Sequence, residues 1–142
     1  MYHAHRKRGT SMSKFRFEHI HLRSPDVEAT AQFYERMFGA EIVRGAWPDG
    51  RPRVDLKLGG IDIFIMAVTP GDGVHPAPSH PHQGLDHFGM LVDDIDTVVA
   101  ELKAKGVKFT MEPKTIRPGV RVAFLQAPDA VSIELLDRNA KI

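Results

Sequence analysis

The chain has 142 residues, a formal net charge of +1 and no cysteine. The missing cysteines exclude disulfides, thiolate metal sites and thiol nucleophiles, and the near-neutral charge gives no global electrostatic basis for binding nucleic acid or a membrane surface. With 42% hydrophobic and 26% charged residues, the composition is that of one soluble globular domain without a membrane-spanning run, cytoplasmic by default.

Residues 1–14 are basic and lack the apolar core of a signal peptide, so they read as a flexible extension in which His3 and His5 are passive. Residues 15–22, with Phe17-Glu18-His19-Ile20-His21-Leu22, have the apolar and β-favouring pattern of a strand. Pro25 ends it, and Asp26 is placed to cap a helix. That helix runs from Val27 to Phe38, with Val27, Ala31, Tyr34 and Phe38 as its apolar stripe and Gly39 as its stop. Arg53-Val54-Asp55-Leu56 and Ile61–Ile65 read as strands about the Gly59-Gly60 turn, and the Pro- and Gly-rich stretch 69–84 is a loop.

The pattern then recurs. Leu85-Asp86-His87-Phe88-Gly89-Met90 leads to Asp94 as the second cap, a stripe of Ile95, Val98, Val99 and Leu102, and Gly106 as the stop. Arg121–Phe124, the Pro128-Asp129 turn and Val131–Leu135 complete it. His19 to His87 and Asp26 to Asp94 keep one offset, the mark of a supersecondary unit used twice. The expected fold is α+β: tandem βαβββ modules forming a curved, open barrel-like sheet. Module one spans 15–68, the connecting loop 69–84 and module two 85–137, in one domain over 15–137, with a tail at 138–142.

Side chains alternate along strands, so His19 and His21 share a face, as Ser132, Glu134 and Leu136 do in the last strand. A carboxylate in that apolar strand calls for a cation or a donor. His19, His87 and Glu134 together are the donor set of a 2-His-1-carboxylate site for Fe(II), Mn(II), Co(II), Ni(II) or Zn(II), with positions left open for substrate. The same residues also suit ordinary roles: hydrogen-bonded strand histidines, and Glu134 paired with Arg53 or Arg121.

The segments Glu18-His19-Ile20 with Pro25-Asp26 and Phe33-Tyr34, Leu85-Asp86-His87 with Val92-Asp93-Asp94-Ile95, and Phe124 through Ile133-Glu134-Leu135 resemble the vicinal oxygen chelate superfamily, also called the glyoxalase, bleomycin-resistance and dioxygenase group. The resemblance covers residues 15 to 137. It implies His19, His87 and Glu134 as metal ligands, a small-molecule substrate and a homodimer, some members building the site across two subunits. It also implies a fourth ligand, Glu or Gln, in lactoylglutathione lyases and methylmalonyl-CoA epimerases. Phe64 stands there, or Ile65 one residue on, and neither ligates a metal; Asp62 is the fallback. That departure tips the expectation slightly towards a dioxygenase with Fe(II) or Mn(II). A glyoxalase I- or epimerase-like lyase/isomerase is the alternative, and a non-catalytic bleomycin-resistance-like binding protein the third reading.

Further candidates are His21 as acid/base beside His19, and His82 as the participant among the loop histidines His75, His80 and His82. Glu134 itself is a catalytic as well as a ligand candidate. Arg53 and Arg121, at equivalent strand positions, suit either a substrate carboxylate or a structural ion pair such as Arg53 with Asp55. Asp49 is a turn residue near where epimerases carry a second carboxylate, and Tyr34 belongs to packing.

Overall fold

The computed structural model describes residues 13–141; the expected extension over residues 1–12 lies outside them. Module one consists of β1 (His19–Ser24), α1 (Val27–Phe38), β2 (Glu41–Ala46), β3 (Pro52–Leu58) and β4 (Ile61–Ala67). Module two consists of β5 (Phe88–Leu91), α2 (Ile95–Ala104), β6 (Lys108–Arg117), β7 (Val120–Gln126), a single 3-10 turn (Pro128–Ala130) and β8 (Ser132–Asp137). The order β1-β4-β3-β2 in the first sheet is repeated as β5-β8-β7-β6 in the second. In each sheet the first and last strands of the module pair in parallel and the other neighbours are antiparallel. The architecture is thus the expected tandem βαβββ, as two open sheets. No helix among the described residues is long and apolar enough to cross a membrane.

The apolar periodicities explain the core. Ile63 and Ile65 of β4, with Leu56 of β3, turn towards α1, where Ala31 and Tyr34 are fully buried. Ile133, Leu135 and Leu125 make the same layer against Ile95, Val99 and Leu102 of α2. Both sets belong to one contiguous cluster, so the modules share a core although no strand pairing joins their sheets. The alternate residues, His19 and His21, Asp62 and Phe64, Ser132 and Glu134, are left on the opposite sheet faces.

Three local expectations change. The first strand begins at His19, not at residue 15, and Phe15 and Phe17 are 88% and 72% exposed. Their alternation has the period of a strand, but among the described residues there is no strand for it to pair with. His87 likewise sits just ahead of β5. The third change is the cap of α2. Asp26 caps α1 as expected, accepting from the Ala29 amide at 3.0 Å, and Gly39 ends that helix at φ 70°. Asp94 instead has φ 51° and makes no side-chain bond to the helix backbone. It accepts from the Thr97 hydroxyl, while Asp137 of β8, 3% exposed, accepts from the Ile95 amide at 3.2 Å.

Candidate functional site

β1 and β5 are edge strands of their sheets, and each presents a histidine at its leading end. In both cases the preceding acid takes the ring's Nδ1: Glu18 bonds His19, and Asp86 bonds His87 at 2.6 Å. A carboxylate accepts only, so Nδ1 is the protonated nitrogen and Nε2 is left with its lone pair outward. This is the arrangement by which ligating histidines are oriented and their basicity raised. In the sequence these acids carry no assigned role, and the signal that marks them is their recurrence beside both histidines.

The Nε2 of His87 faces Oε2 of Glu134 at 3.8 Å. That is too long for a hydrogen bond and within ~1 Å of the spacing of adjacent ligand atoms around a divalent ion with bonds of ~2.1 Å. The Phe124 ring meets His87 edge-on at 4.8 Å between centroids. Glu134 lies opposite Gly89 in the β5–β8 register, and a Cβ at Gly89 would stand 3.6 Å from its Oε1, an ordinary van der Waals contact.

Module one builds the corresponding half differently. Phe64 lies opposite His21, and its ring packs on His19 at 4.4 Å. An aromatic ring therefore stands where module two carries its carboxylate. The acid and the aromatic have exchanged strands: Asp55 of β3 neighbours Phe64 of β4, whereas Phe124 of β7 neighbours Glu134 of β8. Asp62, opposite His19, is ion-paired with Lys57 at 3.1 Å.

The structure brings His87 and Glu134 together. It does not bring His19 to them: among the described residues of one chain, no three His, Asp or Glu side chains are grouped to hold a metal. His21 stands on the His19 face, with partial burial, and then the charge of Arg23, holding its pKa below the ordinary 6.5. It is therefore neutral near pH 7 and able to accept a proton or a hydrogen bond. It opens, with Arg23, His75 and Asp129, onto a cleft of about 910 Å³, enough for a small organic ligand. A separate apolar cavity of about 460 Å³, lined by Ile20, Ile63, Phe38, Phe88 and Met90, lies where the modules meet.

The other candidates are placed as follows. His82 bonds the Gln83 carbonyl at 3.0 Å; the loop histidine that reaches the half-site is His80, 3.3 Å from Asp86. The hydrogen bond to His87, with the nearby loop histidines, keeps the Asp86 carboxyl below its usual range. Arg121 is occupied by both oxygens of Asp96 and by Thr115. Asp49 is engaged by the Arg51 amide and side chain within its turn. Arg53 forms the expected pair with Asp55 at 2.8 Å and pairs with no residue of module two.

Comparison with known proteins agrees with this architecture. A probable lactoylglutathione lyase of Arabidopsis thaliana is 33% identical over 130 residues, covering 89% of this chain and 37% of that protein. The chain spans under half the length of the plant relatives it matches. A probable lactoylglutathione lyase of Vibrio cholerae is 29% identical over 132 residues, covering 90% of this chain and 94% of that one. Among solved structures, the glyoxalase family protein from Enterococcus faecalis superposes with a TM-score of 0.70 at 26% identity, over 86% of this chain and 97% of that one. The profile of the glyoxalase/bleomycin resistance protein/dioxygenase superfamily matches residues 16–135, and with two βαβββ modules carrying equivalent histidines the chain belongs to that superfamily.

Proposed function

We propose that this protein is a divalent-metal-dependent lyase or isomerase acting on a small, oxygen-rich substrate, with His19, His87 and Glu134 as the metal ligands. The observation that carries the reading is the geometry of the histidines. Each is held at Nδ1 by its preceding acid, and the outward Nε2 of His87 faces Glu134 at 3.8 Å. Two nitrogens and a carboxylate suit Fe(II), Mn(II), Co(II), Ni(II) or Zn(II). Such an ion supplies Lewis acidity towards neighbouring substrate oxygens. Glu134 and neutral His21 are the groups that would take a proton from one of the two adjacent oxygen-bearing carbons and return it to the other. The relatives named lactoylglutathione lyase favour this reaction class over the oxygenase suggested by the missing fourth ligand.

The complete ligand set is the work of two copies. His19 lies on one half-site and His87 with Glu134 on the other, and no group of three forms among the described residues of one chain. The half-sites are flanked by large exposed apolar side chains, with Phe17 and Leu85 each 72% and Leu91 68% exposed. Apolar surface of that kind is the material of a chain–chain interface. In a two-fold homodimer each His19 then meets the partner subunit's second module.

A second reading keeps one specific observation: Phe64, at the fourth position, leaves a coordination site open as an extradiol-type oxygenase requires. Two measurements decide. Metal analysis of the purified protein is expected to find close to one transition-metal ion per chain, and a chain that cannot be loaded sinks both enzyme readings. Turnover of the glutathione thiohemiacetal of a 2-oxoaldehyde to a thioester without oxygen supports the lyase; oxygen uptake with catechols and no thioester formation supports the oxygenase.

A further inference from the structure

Beside the His19 half-site stands a cation in an unusual setting. The Arg53 guanidinium lies 4.4 Å from the centre of the Trp47 ring and 4.9 Å from that of Phe64. Its Nε donates to Asp55 at 2.8 Å. Two ring faces and one carboxylate thus hold the group in a single plane, while its two terminal nitrogens have no hydrogen-bond partner among the described residues. The residue opposite Arg53 on β2 is Gly45, and a Cβ built there would meet nothing within 4 Å. The side chain is 32% exposed.

An ion pair built only for stability would engage the fork of the arginine, as Arg121 does with Asp96 and Thr115 at the equivalent position of module two. Arg53 instead spends its Nε on Asp55 and keeps the two-nitrogen edge unused. A planar guanidinium so fixed is matched to the paired oxygens of a carboxylate or a phosphonate and loses little entropy on binding them. Phe64 packs against both Arg53 and His19.

We infer that Arg53 is a specificity-determining residue that grips an anionic oxygen pair on the substrate next to the metal-chelating end. This rests on the metal reading above. It gives the replacement of a ligand by Phe64 a second consequence: the ring that cannot hold a metal supports a cation instead.

The test uses the built-in reporter, since Trp47 is the single tryptophan of the chain. The full chain loaded with Zn(II) is titrated with acetohydroxamate and with hydroxamates bearing a terminal carboxylate or phosphonate on spacers of increasing length, following Trp47 fluorescence. At least one charged probe is expected to bind about tenfold more tightly than its neutral parent. Arg53→Met removes that preference and leaves the affinity of the parent unchanged; Arg53→Lys retains part of it. Which terminal group gains more identifies the anion. No preference at any spacer length, or a preference that survives in Arg53→Met, overturns the assignment. If no hydroxamate binds, the metal reading has failed and not this one. Inorganic phosphate titrated into the metal-free chain then decides: a Trp47 response lost in Arg53→Met supports the site, and no response overturns it.

Discussion

Phe64 and Glu134 occupy the same place in the two modules: each is the outward residue of the central β4 or β8, one packed on His19 and the other facing His87. Their registers match as well, Phe64 opposite His21 and Glu134 opposite Gly89. The duplication therefore keeps two oriented histidines but only one of two carboxylates. That asymmetry bears on metal affinity, on substrate recognition through Arg53 and on the choice of reaction.

The acids behind the histidines are open to direct substitution. Glu18→Gln and Asp86→Asn each keep the shape and remove the charge that holds Nδ1. Each is expected to weaken metal retention by ~10–100-fold, read by competition with a chromogenic chelator. Unchanged affinity in both would mean that the acids do not orient ligands. His75→Ala, with no such contact among the described residues, is expected to match the parent.

Assembly of the site from two copies predicts complementation. His19→Ala and Glu134→Gln are each expected to lose metal binding and turnover. Mixed, unfolded and refolded together, they form heterodimers with one intact site, restoring about one quarter of the parent activity when subunits exchange at random. No recovery, with heterodimers verified by mass, would place the whole site within one chain.

The N-terminus of α2 makes unequal predictions for two similar-looking aspartates. Asp137→Ala removes the buried acceptor of the Ile95 and Asn139 amides and is expected to cost ~1–3 kcal/mol in denaturant unfolding. Asp94→Ala loses the exposed bond from Thr97 and places an alanine at φ 51°, with an expected cost of ~0.5–1 kcal/mol. The reverse order would return the capping role to Asp94.

Tyr34 is fully buried and its hydroxyl has no partner among the described residues; burial, with Asp129 nearby, pushes its pKa far above the usual 10. Tyr34→Phe removes the unsatisfied group while keeping the ring, so stability is expected to hold within ~1 kcal/mol or to rise. Tyr34→Ala leaves a cavity in the core and is expected to cost ~3–5 kcal/mol. A large loss in Tyr34→Phe would show that the hydroxyl has a structural partner after all.

What the sequence by itself determined is what local rules govern. Alternation along Ile61–Ile65 and Val131–Leu135, the helical stripes ending at Gly39 and Gly106, and the repeated acid-histidine pairs are written within a few residues of one another. They were enough for the tandem fold and for the equivalence of His19 with His87 and of Phe64 with Glu134. Where local pattern lacked a spatial partner it misled: Phe15 and Phe17 alternate like a strand but pair with no strand among the described residues. The tertiary structure alone decided the rest. Asp137 closes α2 from 42 residues away, Arg53 lies between Trp47 and Phe64, and His80 rather than His82 touches Asp86. Among the described residues it also gathers no third His, Asp or Glu with His87 and Glu134. Each of these depends on how distant segments approach once the core has closed, and no spacing along the chain encodes that distance.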